Sequence, residues 1–124
     1  MQKILDDLVN KVKRDIPGYI GLSVASISTG ESLISHSVDS NFDPALASAY
    51  NTEIINAKRS AMKALGLKED LLDIHFNLQS QIHLINLTPS GDYFIYLAVR
   101  SKDSNLALTR TLLNRYKGDI SNEL

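Results

Sequence analysis

The sequence predicts a mixed α/β domain of the α+β type, with elements in the order α-β-β-α-β-β-β-α. Apolar residues recur at helical spacing near both ends and in the middle of the chain. Between these stretches, two groups of short segments alternate apolar and polar residues with the period of a strand. Short turns inside each group make those strands antiparallel, and the long helix between the groups joins them into one domain.

Gln2 to Asp15 reads as the first helix. Ile4, Leu5, Leu8, Val9, Val12 and Ile16 fall on one arc, with charges on the other side. Pro17-Gly18 stops it, because a residue before proline disfavours helical dihedrals. Ile20 to Ile27 reads as a strand with Ile20, Leu22 and Val24 on one face. Its other face carries Gly21, Ser23 and Ala25, small enough for another element to approach closely. Ser28-Thr29-Gly30-Glu31 is a turn, and Ser32 to Ser37, short and polar, is the returning edge strand.

Asp43-Pro44 opens the central helix, with Asp43 as N-cap and Pro44 where a missing N–H costs nothing. Gly66 ends it. Ala47, Tyr50, Ile54, Ala57, Ala61 and Leu65 form one stripe, assigned to the sheet. Ile55 and Met62 form a second apolar patch, assigned to a partner chain. Thr52, Asn56, Arg59 and Lys63 line the polar back and are the candidate partner face.

Leu72, Ile74, Phe76 and Leu78 alternate with Asp73, His75 and Asn77, as in a half-buried strand. Gln81 to Leu87 is the next strand and Thr88-Pro89-Ser90-Gly91 the turn after it. Tyr93 to Val99 is apolar on both faces, so it is central in its sheet. Asp103 or Ser104 caps a last helix through Tyr116 that turns Leu106, Leu112, Leu113 and Tyr116 inward. Gly118 ends it, so residues 1–117 make the domain and 118–124 a loose tail.

Composition narrows the function. A chain of 124 residues holds a core without staples, and a net charge of −1 gives no footprint for nucleic acid. There is no polybasic patch and no apolar run near the ~18 residues that span a bilayer, so membrane insertion is not expected. The absence of cysteine removes disulfides and thiolate metal sites, and it fits a cytoplasmic protein. The charged segment Met1 to Asp15 does not have the pattern of a secretory signal.

No catalytic signature stands out. The phosphate loop, the dinucleotide glycine pattern, the paired zinc histidines on a helix and the serine elbow are all missing. His75 and His83 lie on adjacent strands and share a face in some registers only, with His36 elsewhere, so no metal site is expected. Asp6, Asp7, Glu69 and Asp70 read as solvated carboxylates, and Arg110 lies outside the apolar arc of its helix. No catalytic residue and no cofactor is expected.

The order and spacing of several segments resemble the Roadblock (dynein light-chain) family, in particular its single-domain prokaryotic members. Ile16-Pro17-Gly18-Tyr19-Ile20-Gly21 looks like the family's passage from first helix to small-residue strand. Thr29-Gly30 stands at its glycine hairpin turn, and Ala45 to Ala49 at its alanine-rich helix start. Asn105-Leu106-Ala107-Leu108-Thr109-Arg110 resembles its Asn-Leu-Gly-x-x-Arg opening of the last helix. Ala107 replaces the usual glycine and Thr29 the usual acidic residue. The resemblance implies a profilin-like five-stranded antiparallel sheet between helices. It implies a homodimer in which central helices and third strands meet across a two-fold axis. It also implies a non-catalytic regulator or adaptor of a Ras-like small GTPase, or a structural subunit of a motor, trafficking or other assembly. On this reading Ile55, Met62, Leu72, Ile74 and Phe76 form the dimer interface. The strand from Leu72 to Leu78 supports pairing on its own account, since it lacks the Lys, Pro or bulge that protects a free edge.

Overall fold

A computed structural model describes residues 1–124. Its elements are α1 (Gln2–Asp15), β1 (Tyr19–Ser26), β2 (Ser32–Ser37), α2 (Pro44–Ala64), β3 (Asp73–Asn77), β4 (Gln81–Leu87), β5 (Tyr93–Arg100) and α3 (Leu106–Ile120). The strands form one antiparallel sheet in the order β2-β1-β5-β4-β3. β5 is its central strand, as its two apolar faces require, and β2 and β3 are its edges.

One face of the sheet is covered by α1 and α3. Leu22, Val24, Leu84, Ile95, Leu97 and Val99 pack there against Leu5, Leu8, Val12, Leu113, Tyr116 and Ile120. The two helices are also tied to each other, since the Tyr116 hydroxyl donates to Asp15 and Arg14 pairs with the same carboxylate.

The other face carries α2. Asp43 accepts hydrogen bonds from the N–H groups of Ala45 and Leu46, satisfying donors that a helix start leaves free. Phe42, just before the cap, and Ala47, in the first turns of the helix, both pack against this second core. Gly66 adopts the left-handed conformation that closes the helix.

Three sequence expectations change. First, Ile20 does not share a face with Leu22 and Val24. The β1–β5 register shifts between Tyr19 and Gly21, so this bulge turns Ile20 into the core under α2. Secondly, Asn105 rather than Asp103 or Ser104 caps α3, its side chain accepting from the Leu108 N–H. Leu106 then lies outside the inward arc, 39% exposed. Thirdly, Gly118 lies inside α3, and the segment after residue 117 is not loose. Ile120 is 1% exposed, and Leu124 packs against the same core. Apolar burial at Ile120 outweighs the roughly 1 kcal/mol that glycine costs in a helix.

Candidate functional site

The sheet face under α2 is only partly covered. The helix lies over β1, β2 and the near side of β5. It comes close because β1 is small there: a Cβ on Gly21 would stand 2.9 Å from Pro44 Cγ. Close approach demands small side chains from the helix as well. The residues of α2 turned to the sheet are Ser48, Thr52 and Ile55, with Asn51 beside them.

This inverts the expected helical wheel. Ile55, assigned to a partner interface, is 0% exposed and belongs to the core beneath α2. Thr52, assigned to the polar back, is buried and donates to Ser48 O at 3.1 Å. Apart from Ala47, which packs on the core, the stripe assigned to the sheet faces outward instead, with Tyr50 63%, Ile54 38% and Leu65 73% exposed. The pattern of α2 shows two apolar stripes, but the wheel alone does not say which one meets a sheet. The signal lay in Gly21, Ser23 and Ala25, whose small face selects a small helix face.

The other candidate positions separate. Arg59 is not a free surface cation, since its Nη2 donates to Gly91 O at 2.9 Å and ties α2 to the β4–β5 turn. Asn56 and Lys63 remain exposed. Met62 is half-buried and lines a cleft of about 830 Å³ between α2, the 65–72 loop and the β4–β5 turn. Arg59, Lys63, Lys68 and Lys117 line the same cleft.

Beyond α2, the β3–β4 half of this face is open. Ile74 and Phe76 touch the core but stay half-exposed, while Leu72 is 72% and Leu78 48% exposed. Asn51, four residues from Ala47 on the same flank of α2, keeps a buried Nδ2 with no partner. The open apolar side chains border the unpaired edge of β3. The outward stripe of α2 and, farther across the sheet, the uncovered β3–β4 half with its free edge are the apolar surfaces that this side leaves open.

Polar groups on the sheet have structural partners. His83 pairs across the ladder with Phe76 and lies against Phe42 and Tyr96. Gln81 Oε1, an acceptor, stands 2.7 Å from its Nε2, and the Tyr96 hydroxyl 2.9 Å from its Nδ1. Nε2 therefore carries the proton and Nδ1 accepts from Tyr96, which suits a neutral ring. Burial lowers the His83 pKa and raises that of Tyr96. On the opposite face, His75 Nε2 is 3.2 Å from Asp73 Oδ2, which also receives Arg110 Nη2 at 3.1 Å. Lys117 Nζ donates to Asn86 Oδ1 at 2.7 Å and Leu87 O at 3.0 Å, and burial lowers its pKa. His36 shares a hydrogen bond with the Tyr19 hydroxyl at 2.7 Å. The three histidines thus lie apart, and no three His, Asp or Glu side chains come together as a metal site.

The arrangement defines a profilin-like class of α/β sandwich, with two helices on one face of a five-stranded sheet and one on the other. Within that class the fold is that of Roadblock/LC7 domains. A Roadblock/LC7 domain from Streptomyces avermitilis aligns with a TM-score of 0.80 at 17% identity, covering 95% of each chain. MglB of Myxococcus xanthus aligns at 0.79 and 11% identity, over 98% of this chain and 84% of that one. The gliding protein MglB of Thermus thermophilus aligns at 0.78 and 10% identity, over 98% and 87% respectively. No family model matches the sequence, and no curated protein matches it. No helix is long and apolar enough to cross a membrane.

Proposed function

We propose that this chain is a homodimeric, non-catalytic regulator or adaptor of a Ras-like small GTPase. The observation that carries the reading is the unfinished α2 side of the sheet. An exposed apolar stripe on α2, a half-covered sheet face and a free strand edge all lie open, on a fold shared with Roadblock/LC7 and MglB structures. A second copy would cover Leu72, Ile74 and Phe76 together with Tyr50 and Ile54, with Met62 at the border. Ile55 supports that surface from beneath. Exposed Asn56 and Lys63 remain on the solvent side of α2 as the candidate contact with a GTPase, while Arg59 and Thr52 hold the helix in place. Any stimulation of hydrolysis would use the chemistry of the GTPase.

The experiment is recovery of partners from the native lysate with the tagged chain, in the presence of GDP or a non-hydrolysable GTP analogue. Recovery of a small GTPase, enriched by the analogue and altered in its hydrolysis rate by the purified chain, is the expected result. Recovery of larger proteins only, indifferent to nucleotide, contradicts it and favours a structural dimeric subunit of a motor, trafficking or other assembly.

A further inference from the structure

The cleft of about 830 Å³ draws cations from both faces of the sheet. Arg59 and Lys63 come from α2, Lys117 from α3, and Lys68 from the loop that follows α2. Two of them are fixed on one turn. Arg59 Nη2 donates to Gly91 O at 2.9 Å, while Lys117 Nζ donates to Leu87 O at 3.0 Å and Asn86 Oδ1 at 2.7 Å. The Gly91 N–H donates to Thr88 O at 2.9 Å, so the turn is closed and keeps these two anchor points near each other. Neither cation has spent its donors. The guanidinium fork uses a single N–H at Gly91, and the ammonium has an N–H beyond those its two acceptors take.

The cations outnumber the anions beside them. Glu69 and Asp70 also line the cleft, two carboxylates against four cations, in a chain whose net charge is −1. None of the six takes part in an ion pair. Lys117 is the costly member, half-buried with no carboxylate in contact. Asp73, which acts on it from farther off, is already engaged by Arg110 at 3.1 Å and stands 3.2 Å from His75. Burial lowers the Lys117 pKa, the direction expected of a cation that has lost water without gaining an anion. A lysine in open solvent carries no such cost.

We propose that this cleft binds a small phosphate monoester, its phosphate held by Lys117, Arg59 and the lysines at the rim, its apolar part resting on Met62, Leu67 and Leu71. Charges arriving from two helices and a loop suit an anion that presents oxygens in several directions. A planar carboxylate is met best by one whole arginine fork, and Arg59 has turned part of its fork to Gly91. Met62, Leu67 and Leu71 line the same cleft and none of them is fully buried, so an apolar group can reach them. The volume lies within the range of small-molecule sites, roughly 300–1,000 Å³. Such binding needs neither a GTPase nor a second copy of the chain.

Amide NMR of the purified chain, titrated with phenyl phosphate at an ionic strength held constant with chloride, tests the site. Saturable shifts confined to the loop after α2 and the Thr88–Gly91 turn are expected. Lys63 and Lys68 are exposed and bond to no other residue, so Lys63→Gln with Lys68→Gln should keep the fold and weaken binding roughly tenfold. Lys117→Met is expected to weaken it at least as much. If losing the bonds to Asn86 and Leu87 unfolds that variant, the double lysine variant decides. Inorganic phosphate, without the apolar group, is expected to bind roughly tenfold more weakly than phenyl phosphate, and benzoate more weakly still. Shifts that scatter over the surface or never saturate, or an affinity unchanged in the double lysine variant, overturn the site. Benzoate binding as tightly as phenyl phosphate overturns the choice of phosphate. Inorganic phosphate binding as tightly overturns the apolar contact.

Discussion

Leu22 and Leu97, beneath α1 and α3, are both 0% exposed, whereas Leu72, at the edge of the α2 face, is 72% exposed. Two helices seal the first face and are latched together by Tyr116 and Asp15. A single helix over β1 and β2 leaves the β3–β4 half of the second face uncovered. The edges repeat the contrast, since β2 carries a bulge and four serine or histidine side chains where β3 carries an unbroken register. The chain closes one side by itself and leaves the other partly open. On the proposed dimer, that asymmetry separates residues whose loss costs folding from residues whose loss costs assembly.

The largest expected effect lies on the sealed face. Leu97→Ala is expected to cost about 3 kcal/mol of folding stability, from lost burial plus the cavity left behind. Urea denaturation measures it, and the cost should not depend on protein concentration. On the open face, Tyr50→Asp with Ile54→Asp is expected to weaken dimerisation by about 2 kcal/mol, roughly 30-fold in dissociation constant. Sedimentation equilibrium reads this change, and the fold of the single chain should shift by no more than about 0.5 kcal/mol. A loss of fold in this pair, or no loss of association, breaks the comparison.

Arg59→Ala sharpens it within one helix. Losing the hydrogen bond to Gly91 O is expected to cost about 1 kcal/mol of stability, while Lys63→Ala costs nothing measurable. If Lys63 contacts a GTPase, only that second variant reduces partner binding without reducing stability.

The smallest effect concerns pH. Burial holds the His83 pKa below its ordinary value of 6.5. As pH falls through 6.5 the unfolded chain takes up a proton that the folded chain resists. The stability contributed by neutral His83 is therefore complete above that value and is lost as pH drops through and below it. His36 is shifted in the same direction, so His83→Gln should flatten the decline between pH 7.5 and 5 without abolishing it. A decline unchanged by His83→Gln contradicts the neutral ring assigned beside Tyr96.

Most of the architecture was legible because local rules agreed with the fold. Asp43 and Pro44 announce a helix start, Gly66 its end, and the two apolar faces of Tyr93 to Val99 a central strand. Two features were not legible, for physical reasons. The direction in which α2 faces depends on how close it sits to β1, a tertiary fact that the wheel does not contain. The end of α3 was misread because local propensity at Gly118 gives no account of Ile120, whose burial against α1 and the sheet carries the helix onward. The unprotected character of β3 was readable from sequence.

The most direct test is the molar mass of the unmodified chain by light scattering at micromolar concentration. The unfinished face and edge predict a value near twice 13.7 kDa. A value of 13.7 kDa across that range would show that the open side of the sheet is stable without a second copy. It would contradict the proposed dimer.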